Sequence, residues 1–440
     1  MNKYEILNDV IYYSPLSLSF SLYPLNNEEE VIIPIDDLIQ KTKLTAYTFC
    51  IDISDGCNLD CDYCFNKNKT GAFITFDKAT EYLEKMFELF PNGEKYFIDL
   101  SGKGEPLLHL KTVLQIAEWC KNKQDQINVE VLPQLVTNGT LLTKETANIL
   151  QNHGILFGVS IDGNKLIHNL HRKTKSGQET FDVIISNIKK IKNRKYVGCA
   201  TTLTESVFSL VDSINYLSKY FNTLSYRPAR GEHGFNSFNV DKWIKEYDKL
   251  AITLLKDIRK GNVKRLLCLM NGDDYFGRYL NRAFGRNITI NRCDAGISRF
   301  ALDVDGRIYG CPASSINKEN AYEIMDKTIS KKNLFNQANR CLDCDFKLFC
   351  GGECEVELKA NNNLSLSMCK FKKHLILLAN YIQFVCQRDN PSMDIKLHDF
   401  VYKKQARLVK DEELEQFLKS NSDYSFTKGK EEFDRRKKRY

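Results

Sequence analysis

The chain has 440 residues, of which 42% are apolar, and its 63 Lys and Arg against 56 Asp and Glu leave a formal charge of +7. That length favours two domains over a single core, and the composition is ordinary for a soluble globular protein rather than a disordered or fibrous one. No uninterrupted apolar run reaches the ~18 residues of a membrane helix; the best, Leu375 to Val385, is broken by Asn380 and Gln383. Glu5 and Asp9 stand early and no cationic flank precedes a small-residue cleavage site. The expectation is therefore a cytoplasmic protein with no secretory signal and no membrane partner. Its fifteen cysteines, an odd number in a long intracellular chain, argue against a disulfide scaffold and for metal or redox chemistry.

In chain order, residues 1–45 read as a short β-rich N-terminal extension with one helical stretch around Ile35–Leu44. Over 46–262, β-type runs alternate with amphipathic stretches. The predicted strands are Thr48–Ser54, Tyr96–Ser101, Val129–Thr137, Leu156–Ile161, Tyr196–Thr202 and Thr223–Arg227. Between the first two, Tyr82, Leu83, Met86, Phe87 and Phe90 fall on one helical face, with Thr75 as N-cap. Thr143–Asn152, Phe181–Lys192 and Val207–Phe221 read as helices too. Six strand–helix units predict a parallel sheet with right-handed crossovers, an α/β partial (β/α)6 TIM-type barrel whose chemistry sits at the C-terminal strand ends. Over 263–386 a bridging segment leads into a cysteine-rich domain that closes with a helix near Lys370–Cys386. Residues 387–440 read as a charged tail; 401–440 hold 12 Lys and Arg against 8 Asp and Glu. A basic tail can bind nucleic acid or an acidic peptide. No aromatic residue interleaves with the basic run RRKKR near its end, so a solvated helix end is the preferred reading and no nucleic-acid partner is expected.

Directly after the first strand, CNLDCDYC sets Cys57, Cys61 and Cys64 at C-x3-C-x2-C spacing. A 4Fe–4S cluster normally takes four thiolates, so three on one loop would leave one iron open to a ligand. Structural zinc wants four N or S ligands, and no fourth lies nearby on this loop. After the second strand comes SGKGEPLL, with Gly102, Gly104, Glu105 and Pro106; after the third, LVTNGT, with Thr137, Asn138 and Gly139; after the fourth, VSIDG, with Ser160 and Asp162, followed by Arg172. Taken in order, these segments resemble the radical S-adenosylmethionine (SAM) superfamily over roughly residues 48–230. The resemblance makes Cys57, Cys61 and Cys64 the catalytic cluster ligands. It makes Tyr63 the usual aromatic before the last of them, and Gly102, Gly104, Glu105 and Pro106 the segment that holds the SAM amino group. Thr137 and Asn138 line the same pocket, and Ser160 and Arg172 contact the SAM ribose or carboxylate. Lys103, standing inside the glycine pair, departs from the family pattern. The implied activity is reductive cleavage of SAM to a 5′-deoxyadenosyl radical, fed by an external flavodoxin- or ferredoxin-like donor.

Further on, Cys293, Gly306 and Cys311 are followed by CLDCDFKLFCGGEC, which supplies Cys341, Cys344, Cys350 and Cys354, and then by Cys369. By spacing alone, C-x2-C pairs announce zinc as readily as iron, and a zinc-stabilised binding module is the non-enzymatic alternative. The set resembles the SPASM domain, which implies two auxiliary 4Fe–4S clusters and three clusters in all. Cys293, Cys311 and Cys354 would serve the first auxiliary cluster, and Cys341, Cys344, Cys350 and Cys369 the second. Seven thiolates for two clusters leave either one open iron or recruitment of Cys268.

Enzymes of this kind mostly modify peptides or proteins, by thioether or carbon–carbon crosslinking or by epimerisation. The resemblance favours a maturase of a ribosomally made peptide (RiPP) encoded nearby. A sulfatase maturase is the alternative and would carry an Asp base after the cysteine of the G-x4-C step, where this chain has Pro312. The 45 residues ahead of the first strand are short for a complete winged-helix leader-binding module. Tyr226 and Arg227 on the sixth strand, and Arg230 just beyond it, are candidate substrate contacts at the barrel mouth. Cys50, Cys120, Cys199 and Cys386 read as buried small hydrophobes.

Overall fold

The computed structural model describes residues 2–15, 19–23, 46–191, 194, 197–229, 240–272, 274–289, 293–316, 321, 341, 343–354, 356 and 365–405. Arg230, the stretch Ile35–Leu44 and the tail beyond 405 lie outside these residues.

The N-terminal segment forms an antiparallel sheet of β1 (Asn2–Ile6), β2 (Asp9–Ser14) and β3 (Ser19–Ser21). It docks on the C-terminal cysteine-rich region. Tyr4 packs edge-on to Phe346, Tyr13 stacks on Phe346 and Phe20, and the Tyr13 hydroxyl donates to the Asp345 carbonyl at 2.7 Å.

The central sheet contains β4 (Ala46–Ile51), β5 (Lys95–Asp99), β6 (Glu130–Thr137), β7 (Leu156–Ser160), β8 (Val197–Leu203) and β9 (Thr223–Pro228), all parallel. The crossovers carry α1 (Phe76–Leu89), α2 (Leu110–Ile127), α3 (Lys144–Asn152), α4 (Lys165–His171), α5 (Phe181–Lys190) and α6 (Leu210–Leu217). Thr75 caps α1 by accepting from the Lys78 amide, and Ala79, Tyr82, Leu83, Met86 and Phe87 form its buried stripe. Alternation within each strand assigns the two faces of the sheet. In β6, Val131, Pro133 and Leu135 are buried beneath helices, while Leu132, Gln134 and Val136 lie on an open, less buried face. Gly158, Ser160, Gly198, Ala200 and Thr202 share that open face by register.

Two further strands extend the sheet beyond the six expected. Following α7 (Val240–Arg259), α8 (Lys264–Asn271) and α9 (Tyr275–Gly285), β10 (Arg299–Leu302) pairs parallel with β4, and β11 (Ile308–Tyr309) pairs antiparallel with β10. The strand order is β11-β10-β4-β5-β6-β7-β8-β9, so the start of the cysteine-rich region is built onto the edge of the barrel sheet. After α10 (Lys347–Cys350), two long helices close the chain: α11 (Leu366–Asp389) and α12 (Pro391–Gln405). Helical structure thus continues past residue 387, where the sequence set the start of a charged tail. Asp394 is 1% exposed and takes bonds from Gln383 and Arg286, which ties α12 to α11 and α9.

Candidate functional site

The loop after β4 carries Cys57, Cys61 and Cys64. The Cys64 amide donates to the Cys61 carbonyl at 3.0 Å, closing a turn, and the Leu59 amide donates to the Cys57 sulfur at 3.4 Å. Leu59, 1% exposed, pins the loop to the core. Burial pushes the Cys57 thiol up and takes the Cys61 thiol to about 11. Near neutral pH these groups are thiols, and coordinating a metal must expel their protons.

SGKGEP lies flat on the approach to this loop. The Glu105 amide donates to the Gly56 carbonyl at 2.8 Å. A Cβ at Gly104 would stand 2.2 Å from that oxygen and 2.3 Å from the Ser54 carbonyl, so only glycine fits. The Glu105 carboxylate, 1% exposed, accepts from the Thr137 hydroxyl at 2.6 Å, the Asn138 amide at 2.7 Å and the Leu107 amide at 3.1 Å. Burial raises its pKa and these three donors oppose the rise. The carboxylate is committed to joining two strand-end loops, which leaves the loop backbone to face a ligand. Pro106 opens the short 3-10 turn that follows. The Asn138 amide group reaches the Asn58 side chain at 2.8 Å and the Cys57 sulfur at 3.7 Å. Gly139 takes φ +80°, and a Cβ there would meet Val159 at 2.7 Å.

At the end of β7, Ser160 sits half-buried on the open face. The Arg172 guanidinium, which the resemblance directs to the SAM ribose or carboxylate, is bound inside the protein. Its Nε donates to Asp162 at 2.8 Å, and Nη2 donates to Asp162 and Thr202 at 3.3 Å. Its charge lies 5.3 Å from the Tyr63 ring centroid, and the Tyr63 hydroxyl donates to the same Asp162 carboxylate. Burial pushes the Asp162 carboxyl up, but Arg172 outweighs it and holds the group below the usual range. His168 and His171 are hydrogen-bonding partners. His168 bridges the Asp162 amide and Thr180, and burial lowers its pKa to about 4. His171 bridges Asp62 and Thr204. The sequence names Asp162 beside Ser160 in VSIDG without giving it a contact, and it gives no signal for Asn58 or Thr202.

Tyr226 is corrected. It is 2% exposed on the helix-covered face, its hydroxyl 3.0 Å from Ser213 of α6, so it cannot reach the mouth. Arg227, the next residue, falls on the open face with Ser225, to which its Nε donates at 3.1 Å. Cys268 packs behind β9, its sulfur 3.7 Å from the Phe221 carbonyl, at the sheet edge opposite the one carrying β11 and Cys311.

In the C-terminal region, Cys341 lies within electrostatic reach of Cys344 and Cys350, and Cys369 within reach of Cys341 and Cys350. Burial takes the Cys369 thiol to about 11. Cys293 is exposed, Cys311 half-buried and Cys354 buried. Among the described residues, no group of three or more His, Cys, Asp or Glu side chains is arranged around a single metal ion. One tetrahedral zinc would need its thiolates about 3.8 Å apart, closer than a four-iron cube holds them.

Three cysteines on the loop after β4 are thus joined through Asn138 and Glu105 to the loops after β6 and β5. Residues 51–205 match the model of the Radical SAM superfamily. This region is a radical SAM domain. Relatives include a cysteine-type anaerobic sulfatase-maturating enzyme of Clostridium perfringens, 26% identical over 335 residues, covering 68% of this chain and 86% of the relative. A serine-type anaerobic sulfatase-maturating enzyme of Klebsiella aerogenes is 22% identical over 336 residues, covering 71% and 80%. The solved structure of native anSMEcpe with bound AdoMet aligns with TM-score 0.62 and 22% identity, covering 77% of this chain and 99% of that one. Radical SAM enzymes use a 4Fe–4S cluster and SAM. The half-buried sheet face that carries Gly158, Ser160, Gly198 and Ala200 fits such a ligand, since these side chains are small.

Proposed function

We propose that this radical SAM enzyme modifies a residue within a peptide or protein and is a maturase of a ribosomally made peptide. The observation that carries the reading is the hydrogen-bonded junction Cys57–Asn138–Glu105, which ties the three-cysteine loop to the loops after β5 and β6. Cys57, Cys61 and Cys64 would hold a cluster with one open iron. When bound, that cluster with SAM supplies a 5′-deoxyadenosyl radical able to remove a hydrogen atom from the substrate. The chain's own work is positional. Asn138 and the Leu59 amide donate toward the Cys57 sulfur, Glu105 locks the SAM-amino loop onto the TNG turn, and Asp162 anchors Tyr63 within the cluster loop. Arg227, exposed on the open face, is the candidate contact for a substrate carbonyl or carboxylate.

The C-terminal cysteines fit two auxiliary SPASM clusters, and Cys268, packed behind β9, is no ligand to either. The first auxiliary cluster would then keep an open iron that could bind a substrate thiolate. A flavodoxin- or ferredoxin-like protein would deliver the electron, and a cytoplasmic setting suits that chemistry. The named relatives favour a second reading, sulfatase maturation; Pro312, where that activity would place an Asp base, counts against it.

The deciding experiment is anaerobic incubation of the iron-loaded protein with SAM and a reductant, with and without peptide. The wild type is expected to release 5′-deoxyadenosine, and a Cys57/Cys61/Cys64→Ala triple variant to release none. Release by the triple variant would refute the cluster assignment. Loss of two hydrogens from a peptide encoded nearby supports a crosslinking maturase, and epimerisation leaves its mass unchanged. Conversion of a sulfatase-derived peptide alone would move the assignment to the second reading.

A further inference from the structure

Lys103 is the residue that breaks the family's glycine pair, and it stands at a three-way junction. Its backbone carbonyl accepts from the Asn66 side chain at 3.4 Å, and Asn66, two residues after Cys64, also donates to the Asp55 carbonyl at 3.0 Å. Its ammonium contacts the Asp303 carboxylate and lies 3.9 Å from Asp52. All three groups are enclosed: the Lys103 side chain is 11% exposed, Asp303 4% and Asp52 fully buried. Asp303 opens the turn between β10 and β11, the hairpin that leads to Cys311, and Asp52 follows β4. The Asp52 amide donates to the Leu302 carbonyl at 2.9 Å, so hairpin and barrel are already seamed by backbone at this level.

Two buried carboxylates share one cation, an arrangement that costs several kcal/mol if the cation is lost. Burial together with Asp303 pushes the Asp52 carboxyl well above the usual range. Lys103–Asp303 is the close ion pair, and Asp52 is the more distant carboxyl of the group. Gly102 rests directly on Asp52; a Cβ there would fall 1.6 Å from its carboxylate. The SAM-amino loop therefore sits on the carboxylate pair and is clipped to the β10–β11 hairpin by its own lysine.

We propose that Lys103 is a positioning residue that seats the SAM-amino loop on the hairpin leading to the C-terminal cysteines, so that SAM binding and the order of that hairpin are linked. The proposal rests on the reading of SGKGEP as the SAM loop. Its test uses the anaerobic, iron-loaded full chain and compares Lys103→Met, Lys103→Arg, Asp303→Asn and Asp52→Asn. SAM affinity, iron content and hydrogen–deuterium exchange over residues 299–309 are measured with and without SAM.

Lys103→Met and Asp303→Asn are expected to weaken SAM binding by ten-fold or more at unchanged iron content. They should also abolish the SAM-dependent slowing of exchange in the hairpin that the wild type shows. Lys103→Arg keeps the cation and should keep both properties. Asp52→Asn removes the more distant carboxyl, 3.9 Å from the ammonium, and should stay within about two-fold of wild type. The proposal is overturned if Lys103→Met and Asp303→Asn bind SAM as the wild type does. It is equally overturned if Asp52→Asn is as damaging as they are, or if exchange in the wild-type hairpin ignores SAM. Should Lys103→Met not fold, Asp303→Asn carries the same comparison. Failure of the wild type itself to bind SAM would instead remove the proposed function.

Discussion

Arg172→Met tests whether the interior ion pair, rather than a direct SAM contact, is this arginine's main role. In the wild type its guanidinium makes two contacts to Asp162 and one to Thr202, with both side chains at 10% exposure or less. Removing one partner of a buried pair costs about 3–5 kcal/mol, because the remaining charge is left uncompensated in a poorly polarisable site. That is a large part of the ~5–15 kcal/mol by which a domain is stable. At a urea slope of about 3 kcal/mol/M, the unfolding midpoint should fall by about 1–1.7 M. Asp162 is held below its usual range, so its contribution is present above about pH 4 and is lost as pH falls through the depressed value. Asp162→Asn/Arg172→Met, which removes both charges, should regain part of the loss. Urea unfolding of the barrel, followed by circular dichroism under anaerobic conditions, gives the numbers. A single variant within 0.5 kcal/mol of wild type, or a double variant no better than the single, would refute the argument.

Cys268→Ser should leave iron content and the cluster spectrum unchanged, since the thiol is packed behind β9; loss of iron would make it a ligand. Glu105→Gln keeps one acceptor oxygen and sets its NH2 against either the Asn138 amide or the Thr137 and Leu107 donors; it should cost about 1–3 kcal/mol while loosening SAM binding, read by urea midpoint and equilibrium dialysis. His168 has a folded pKa of about 4 against 6.5 unfolded. Its contribution is therefore full above pH 6.5 and declines on acidification toward pH 4, by up to about 3 kcal/mol; a His168→Asn variant should show a flatter pH dependence of its unfolding midpoint. Lys372→Met leaves Glu353, 3% exposed, without its cation at 2.9 Å and should destabilise by about 3–5 kcal/mol, whereas Lys372→Met/Glu353→Gln should be milder.

The features legible in the sequence are those that local chemistry settles. Ligand spacing within CNLDCDYC, the glycines of SGKGEP and TNG, and period-2 and period-3.6 burial are properties of a few adjacent residues, and all six predicted strands lie within three residues of the observed ones at each end. Local pattern alone left open which side of the sheet a residue meets, and what it meets there. Tyr226 and Arg227 are neighbours in one strand, yet pleating buries the first against Ser213 and leaves the second on the open face. Arg172 carries the same charge whether it binds a ligand or Asp162, and only the approach of β8, which brings Thr202 alongside, decides between them. The parallel pairing of β10 with β4 joins segments some 250 residues apart, a closure driven by burial of the shared sheet edge and written in no local periodicity. That pairing brings Asp303 to Lys103. The lysine that interrupts the glycine pair is, in the folded chain, the one charged clip between the SGKGEP loop and the hairpin leading to Cys311 that the described residues show.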